Sequence, residues 1–243
     1  MNKTLVVIFC YNVEKNLIFL LKKIKKNKIN IKRHILFIDD SSTDKTYQIL
    51  KCAKILNSKI KINKKNQGFG LNYKFSIKYA IKKNYKKIIF LHGDNQYPTE
   101  KVSLIENKLE TSSLCYGSRK LNFKSMKKNM PTIRLFANLF LTFIINILLK
   151  NNATEYFSGF RGLLVKSLKK INLNNFEDKW VIEQQIHFYF INKKLPICEI
   201  SIPTVYKKKQ FSNLPPFNYV LSVLTSAFKA FLQKILLHNS KKA

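Results

Sequence analysis

Carboxylates are scarce in this 243-residue chain. Thirteen Asp and Glu stand against 45 Lys and Arg, a formal net charge of +32. So few acidic partners leave surface ion pairing less able than usual to account for an arginine. The charge itself has three readings: a nucleic-acid partner, an anionic membrane surface, or a coding bias that also enriches Asn and Ile. The lysines are spread along the chain and not gathered in one block, which weighs against nucleic acid as a partner. Cysteine is sparse too. Cys10, Cys52, Cys115 and Cys198 lie far apart and form no C-x-x-C pair, so they read as reduced cysteines, mostly core, of a cytosolic protein. Glycine numbers six. The segment "NQGFG" (66–70) lacks the third glycine of G-x-G-x-x-G, with Tyr73 in its place, and it follows the third strand of the pattern below, which argues against an NAD-type dinucleotide site. No signal peptide is expected, because the apolar "TLVVIFCY" is short and Asn12, Glu14 and Lys15 follow at once. Internal repeats and low-complexity segments are lacking as well.

What is present is an alternation of periods. The chain is 46% hydrophobic, enough to bury a sizeable core. "TLVVIFC" (4–10), "HILFID" (34–39), "KIKIN" (59–63) and "KKIIFLH" (86–92) read as strands. Between them, "EKNLIFLLKKIKK" (14–26), "SSTDKTYQILKCAKIL" (41–56, opening on Ser and Thr caps) and "LNYKFSIKYAIKKN" (71–84) carry helical spacing. This order predicts an α/β domain with a mostly parallel central sheet and helices on both faces. Ligands of such sheets bind beyond the carboxyl ends of the strands, and the polar clusters "YN", "DDSSTD" and "HGDNQ" fall there.

The second half is more apolar. "SLCYGSR", "FRGLLVKSL" and "LPICEISIPTVY" read as strands, and "WVIEQQIHFYFINKK" as a helix. In "IRLFANLFLTFIINILLK" (133–150) the polar Arg134, Asn138, Thr142, Asn146 and Lys150 recur every four residues, one narrow stripe on a helix. The run is too short and interrupted to span a bilayer comfortably, which leaves a buried core helix or a helix in the membrane interface. The last segment, from Pro215, is amphipathic with a basic end. Large apolar residues at 217, 220, 221, 224, 228, 231, 232 and 235 are expected on one face, suited to anionic lipid. The expected division is a catalytic domain over 1–206 and a basic helical tail over 207–243.

Asp39 and Asp40, directly after a strand, can accept hydrogen bonds from a nucleobase and from ribose hydroxyls, or can cap a helix. In "LHGDNQYP" (91–98), His92, Asp94 and Gln96 occupy alternate positions, so a strand running into a loop would turn all three the same way.

In order and spacing these pieces resemble family 2 glycosyltransferases. "VVIFCYNVEKNL", "FIDDSSTDKT", "NQGFGLNYKFSIKYA", "FLHGDNQYPTE", "YGSRK" and "YFSGFRGL" are each similar to one of that family's motifs, over about residues 4–206. The enzymes most similar in pattern are dolichyl-phosphate mannose synthases and bacterial polyprenyl-phosphate glycosyltransferases. The resemblance implies a GT-A fold and an inverting transfer from a GDP- or UDP-sugar to a polyprenyl-phosphate, lipid-linked or glycan acceptor. It places Tyr11, Asn12, Glu14, Asp39, Asp40 and Gly68 around the nucleotide. Asp94 and Gln96, with His92 where the family carries an aspartate, would hold Mg²⁺ or Mn²⁺; imidazole suits Mn²⁺ better than Mg²⁺. Arg119, Arg134 and Arg161 would lie near phosphates of donor and acceptor. Glu177 and Asp178 fall where related enzymes keep acceptor-side carboxylates, Asp178 being the one taken for the site. The basic run Lys207–Lys209 follows Tyr206 where the family tends to place a basic residue. Phe9 and Val13 depart from the opening motif. The implied setting is cytoplasmic, peripheral at the inner face of the membrane. Two other readings use the same chain: a soluble transferase to a glycan hydroxyl, and a nucleotide-binding scaffold impaired by the His92 change.

Overall fold

The computed structural model describes residues 3–205 and 216–239. The expected boundary at Tyr206 and the run Lys207–Lys209 lie outside the described residues. Strands β1 (Thr4–Cys10), β2 (His34–Asp39), β3 (Ser58–Ile62), β4 (Lys87–His92), β5 (Leu114–Ser118), β6 (Arg161–Leu164) and β7 (Ile197–Ser201) form one sheet in the order 3-2-1-4-6-5-7. Every pairing is parallel except those of β6, which runs antiparallel to β4 and β5. The helices are α1 (Glu14–Lys26), α2 (Ile29–Lys32), α3 (Thr46–Ala53), α4 (Phe69–Lys82), α5 (Val102–Lys108), α6 (Phe123–Asn129), α7 (Thr132–Leu149), α8 (Val165–Leu168), α9 (Ile182–Asn192) and α10 (Pro216–Asn239).

The sheet is buried on both faces, so its central strands are continuous apolar runs and not alternating ones. Val6, Ile8, Phe37, Ile89 and Leu91 pack toward α1 and α5, while Val7, Ile38, Ile88 and Phe90 pack toward α4 and α9. The predicted second strand of the second half, "FRGLLVKSL", is strand only through Leu164; Val165–Leu168 turn into a helix that packs Val165 and Leu168 beneath the sheet.

The shortage of glycine is met in the backbone. Among the described residues, nine non-glycine positions hold positive φ, including Lys54 and Lys150, which close α3 and α7 in the left-handed region. Glycine ordinarily takes that cap position, and a lysine there carries a steric cost of about 1 kcal/mol.

A second small core lies outside the sheet, where α7, α9 and α10 meet around Ile145, Tyr156, Phe188, Val223 and Ala227. Helix α7 is turned inside out. Its polar stripe faces the protein: Asn138 and Thr142 are buried, Asn138 donates to Glu155 at 3.1 Å, and Asn146 donates to the Ala153 carbonyl at 2.8 Å. Its outer side shows Ile133, Phe136, Phe140, Phe143 and Ile147, all at least 59% exposed. Helix α10 behaves likewise. The large apolar residues expected to form its contact face include Phe217, Leu221, Phe228, Leu232 and Ile235, which point outward; the docked stripe is Val223, Ser226, Ala227 and Ala230. Small side chains allow the close approach that lets Asn192 reach the Ala230 carbonyl and Lys234 the Leu149 carbonyl. Both α7 and α10 are long and apolar enough to cross a membrane, yet each lies along the domain with one stripe buried.

Candidate active site

The loops that follow β1 and β2 are joined side by side. Asn12, at φ 51°, donates its N–H to Ser42 Oγ at 3.0 Å and accepts from Thr43 N–H at 2.8 Å through Oδ1. Val13 N–H donates to Thr46 Oγ1, Glu14 N–H donates to Asp44, and Lys45 N–H donates to Glu14 Oε2 at 2.9 Å. The first N–H groups of a helix lack partners within it, and here each loop supplies the other's. The expected Ser and Thr caps of α3 are therefore not formed: Ser42 and Thr43 bond across to Asn12, and the helix starts at Thr46 with no side-chain cap on its N-cap residue Lys45. Tyr11 stands out from this pair of loops, 42% exposed.

Asp39 is buried and accepts from Ser42 Oγ. Burial pushes its carboxyl above the ordinary range, against the Ser42 hydrogen bonds. Asp40 is an anchor. Its Oδ1 accepts from Asn63 Nδ2 at 2.7 Å and from Gln67 N–H at 2.8 Å, and its Oδ2 accepts from Gly68 N–H at 2.9 Å. The residue expected at the ribose thus holds the "NQGFG" loop. Gly68 sits at φ 80°, ψ 164°, a backbone region essentially confined to glycine. Gly70 has another role: a Cβ there would run into the Asp178 backbone, so its absence lets the loop 176–180 lie against the start of α4. Lys74 secures that loop by donating to the Phe176 carbonyl and pairing with Asp178 at 2.6 Å. Glu177 is tied to Gln185 through both side chain and backbone.

Beyond β4 the expected alternation of His92, Asp94 and Gln96 stops. The chain turns at Gly93 and Asp94, Asn95 takes φ 60°, and Gln96 N–H donates to Asp94 Oδ1 at 3.1 Å. Gly93 lies where a Cβ would meet Val13, Cys10 and Phe9, so the turn crosses close over the end of β1. The Asp94 and Gln96 side chains are half-buried. His92 turns elsewhere. Its ring lies edge-on to Phe9, Phe69, Tyr97 and Trp180, and its Nε2 is buried without a hydrogen-bond partner. A Cβ on Gly159 would stand 2.9 Å from that Nε2, and Gly159 N–H donates to Tyr97 Oη. The glycine of "SGF" thus makes room for His92, whose Nε2 is buried in this aromatic pocket.

Among the described residues no three His, Cys, Asp or Glu cluster around one point. One carboxylate with a neighbouring amide oxygen fits a hard cation that takes most of its ligands from water and phosphate. Asp94 and Gln96 meet that description.

The arginines divide. Arg161 is 1% exposed, and its guanidinium donates to the carbonyls of Ser158 (2.7 Å), Glu183 (2.9 Å) and Tyr156. This corrects the expectation that it contacts phosphate: with every side of the fork directed at the backbone, Arg161 joins the segment before β6 to α9. Arg119 donates its N–H and Nε to the buried Glu155 at 2.7 Å each, a buried ion pair at the end of β5. Arg134 is half-buried on the first turn of α7.

Three residues were not singled out from the sequence. Glu183 is buried with Oε1 unpartnered, and burial pushes its carboxyl up, opposed by Arg161 and His92. Its signal was a carboxylate set in an apolar helix. Glu155 and Trp180 are the others; Trp180, the sole tryptophan, closes the segment "FEDKW".

The model of the family described as "Glycosyl transferase family 2" matches residues 5–172. An uncharacterized protein of Methanocaldococcus jannaschii is 29% identical over 95% of this chain and 91% of its own length. The UDP-N-acetylglucosamine–dolichyl-phosphate N-acetylglucosaminyltransferase of Methanococcus voltae is 25% identical over 90% of this chain and 92% of its own. Among solved structures, the glucosyl-3-phosphoglycerate synthase of Mycobacterium tuberculosis, in complex with Mn²⁺, UDP and phosphoglyceric acid, superposes with a TM-score of 0.69 at 12% identity, covering 95% of this chain and 78% of that one. The likeness to that enzyme identifies the fold as GT-A. With more than half its length matched by the family model, the chain belongs to glycosyl transferase family 2.

Proposed function

We propose that this glycosyltransferase works at a membrane surface, moving a sugar from a nucleotide-sugar to a polyprenyl-phosphate or other lipid-linked acceptor with inversion at the anomeric carbon. The observation that carries the lipid acceptor is the inverted polarity of α7: Asn138 and Thr142 inside, Phe136, Phe140 and Phe143 outside. An exposed apolar face of this size is costly in water and favourable against lipid. Helix α10 adds Leu221, Phe228 and Leu232, and the excess of lysine favours an anionic leaflet. The dolichyl-phosphate acceptor in the name of the Methanococcus relative supports the same class.

The donor reading rests on the joined loops at the carboxyl ends of β1 and β2 and on Asp94 beyond β4. Tyr11 offers a ring to the base, and Asp94 with Gln96 would hold Mg²⁺ or Mn²⁺ against the diphosphate. The cation supplies charge neutralisation as the diphosphate leaves. The bond from the anomeric carbon to the diphosphate oxygen breaks as the acceptor oxygen attacks from the opposite face. A lipid phosphate is already ionised and needs no base. Asp178 would serve a hydroxyl acceptor only after leaving Lys74. The location follows as peripheral, on the cytoplasmic side where nucleotide-sugars are found.

A thermal-shift panel of GDP- and UDP-sugars with Mg²⁺ and Mn²⁺ tests the donor, since a ligand bound to the native state raises Tm. Transfer to a polyprenyl-phosphate that needs a divalent ion and is lost in Asp94→Ala is the expected result. Turnover only with soluble hydroxyl acceptors would overturn the lipid reading.

A further inference from the structure

The loop 176–180, just before α9, ends in the chain's one tryptophan, Trp180, and its surroundings are built rather than incidental. The indole lies flat on Phe69, with ring centroids 4.3 Å apart and planes 3° from parallel. Phe69 is buried and leans edge-on against Phe9 at the end of β1, so the stack rises from the sheet itself. His92 meets the indole edge-on at 6.3 Å, two residues before Asp94. The backbone on either side of Trp180 is held: Gly70 receives the chain at Asp178 and Lys179, Lys74 pairs with Asp178, and Val181 is buried. Yet Trp180 is 40% exposed. One face of the ring is covered and the opposite side is open, above the carboxyl ends of β1 and β4.

A large flat apolar surface stacked on a buried ring and left open to water costs the free protein stability, and it lowers the ordering cost of whatever covers it. Two groups of a nucleotide-sugar can lie on such a face: the base and the C–H face of the sugar ring. The joined β1 and β2 loops with Tyr11 form one end of the region. Trp180, edge-on to His92 at the end of β4, marks the other. Resting on the nucleotide-sugar reading above, we infer that Trp180 is a positioning residue for the transferred sugar, whose apolar C–H face packs on the open face of the indole while the diphosphate lies toward Asp94. A ring held there cannot rotate freely about its glycosidic bond, which fixes the face of the anomeric carbon open to the acceptor.

Because Trp180 is the sole tryptophan, its fluorescence reports on this one position. Acrylamide quenching is measured on the full chain with Mn²⁺ alone, with UDP or GDP, and with the matching nucleotide-sugars, occupancy being followed in parallel by calorimetry. Saturating nucleotide-sugar is expected to lower the quenching constant at least twofold, and the nucleoside diphosphate to leave it unchanged. Equal protection by the diphosphate alone would assign the ring to the base, and no protection at full donor occupancy would remove the contact; either overturns the inference. A chain that binds no nucleotide-sugar removes the donor reading, and this inference falls with it. In a second arm, Trp180→Leu is expected to weaken nucleotide-sugar binding about tenfold, with nucleoside diphosphate affinity retained and Trp180→Phe close to the native chain. Equal weakening toward both ligands would mean a structural role only.

Discussion

Asp40 Oδ2 accepts a hydrogen bond from the N–H of Gly68 at 2.9 Å, so the carboxylate at the end of one strand holds the glycine that opens α4. The same side chain also takes Asn63 and Gln67. Removing it takes an acceptor from the buried Asn63 and from two half-buried backbone N–H groups, and hydrogen bonds to a charged group contribute about 1.5–3 kcal/mol each. Asp40→Ala is expected to lower stability by roughly 3 kcal/mol and to weaken nucleotide binding through the loosened loop, measured by urea denaturation and calorimetry. Gly68→Ala should cost about 1–3 kcal/mol through backbone strain alone. Full stability in both variants would refute the anchor.

Asp44 bonds the N–H groups of Glu14 and Thr46. Burial opposes its ionisation, but hydrogen bonds from the Thr46 side chain and from the Glu14 and Thr46 backbone outweigh it and hold the carboxyl below its ordinary value of 3.8. A lowered folded-state value means stability that is present above 3.8 and lost as pH falls through the folded value. Asp44→Ala should therefore cost about 1 kcal/mol near neutral pH, with the gap to the native chain closing below the ordinary value. A gap that stays constant into strong acid would show that the charge contributes nothing.

Arg161 and a phosphate-contacting arginine make opposite predictions. Arg161→Met takes the guanidinium away from the carbonyls of Ser158, Glu183 and Tyr156, of which Tyr156 keeps Gln184 Nε2 as a donor, and a buried group left unmet costs about 1–3 kcal/mol. The expected outcome is a large drop in Tm. Unchanged Tm with weakened diphosphate binding would restore the phosphate role.

On α7, Phe136→Ser with Phe140→Ser should leave Tm within a degree or so, because both rings are exposed. Sedimentation with vesicles containing anionic lipid should fall severalfold, and the residual binding should weaken further with salt. Undiminished pelleting would mean that this face is not the one that meets lipid.

His92→Asp separates two accounts of the missing carboxylate. With Nε2 enclosed by Gly159 and Tyr97, a carboxylate turned into that aromatic pocket is expected to destabilise the site without improving metal affinity. Tighter Mg²⁺ binding at unchanged Tm would make the position a ligand after all.

Period and order along the chain were enough to place β1, β2 and α1 to the residue, β4 within one residue and α4 within two, because long buried strands and amphipathic helices carry their signal locally. The family motifs likewise located the joined loops, Asp94 and the "NQGFG" turn. What the sequence could not decide was which way each side chain faces once several elements meet. Asp40 and a ribose contact look alike in sequence, since both need a carboxylate after a strand; only packing brings Asn63, Gln67 and Gly68 to it. Arg161 sits in an "SGFR" motif that suggests phosphate, and only the packing of α9 against the segment before β6 completes the three carbonyls around its guanidinium, one from α9 and two from that segment. The stripe of Asn138 and Thr142 is visible at a spacing of four, but the spacing is symmetric between inside and outside. Glu155, buried and in need of donors, turns that stripe inward and leaves the phenylalanines facing out. Local periodicity determined the elements; long-range hydrogen bonding, which no local pattern encodes, decided their faces.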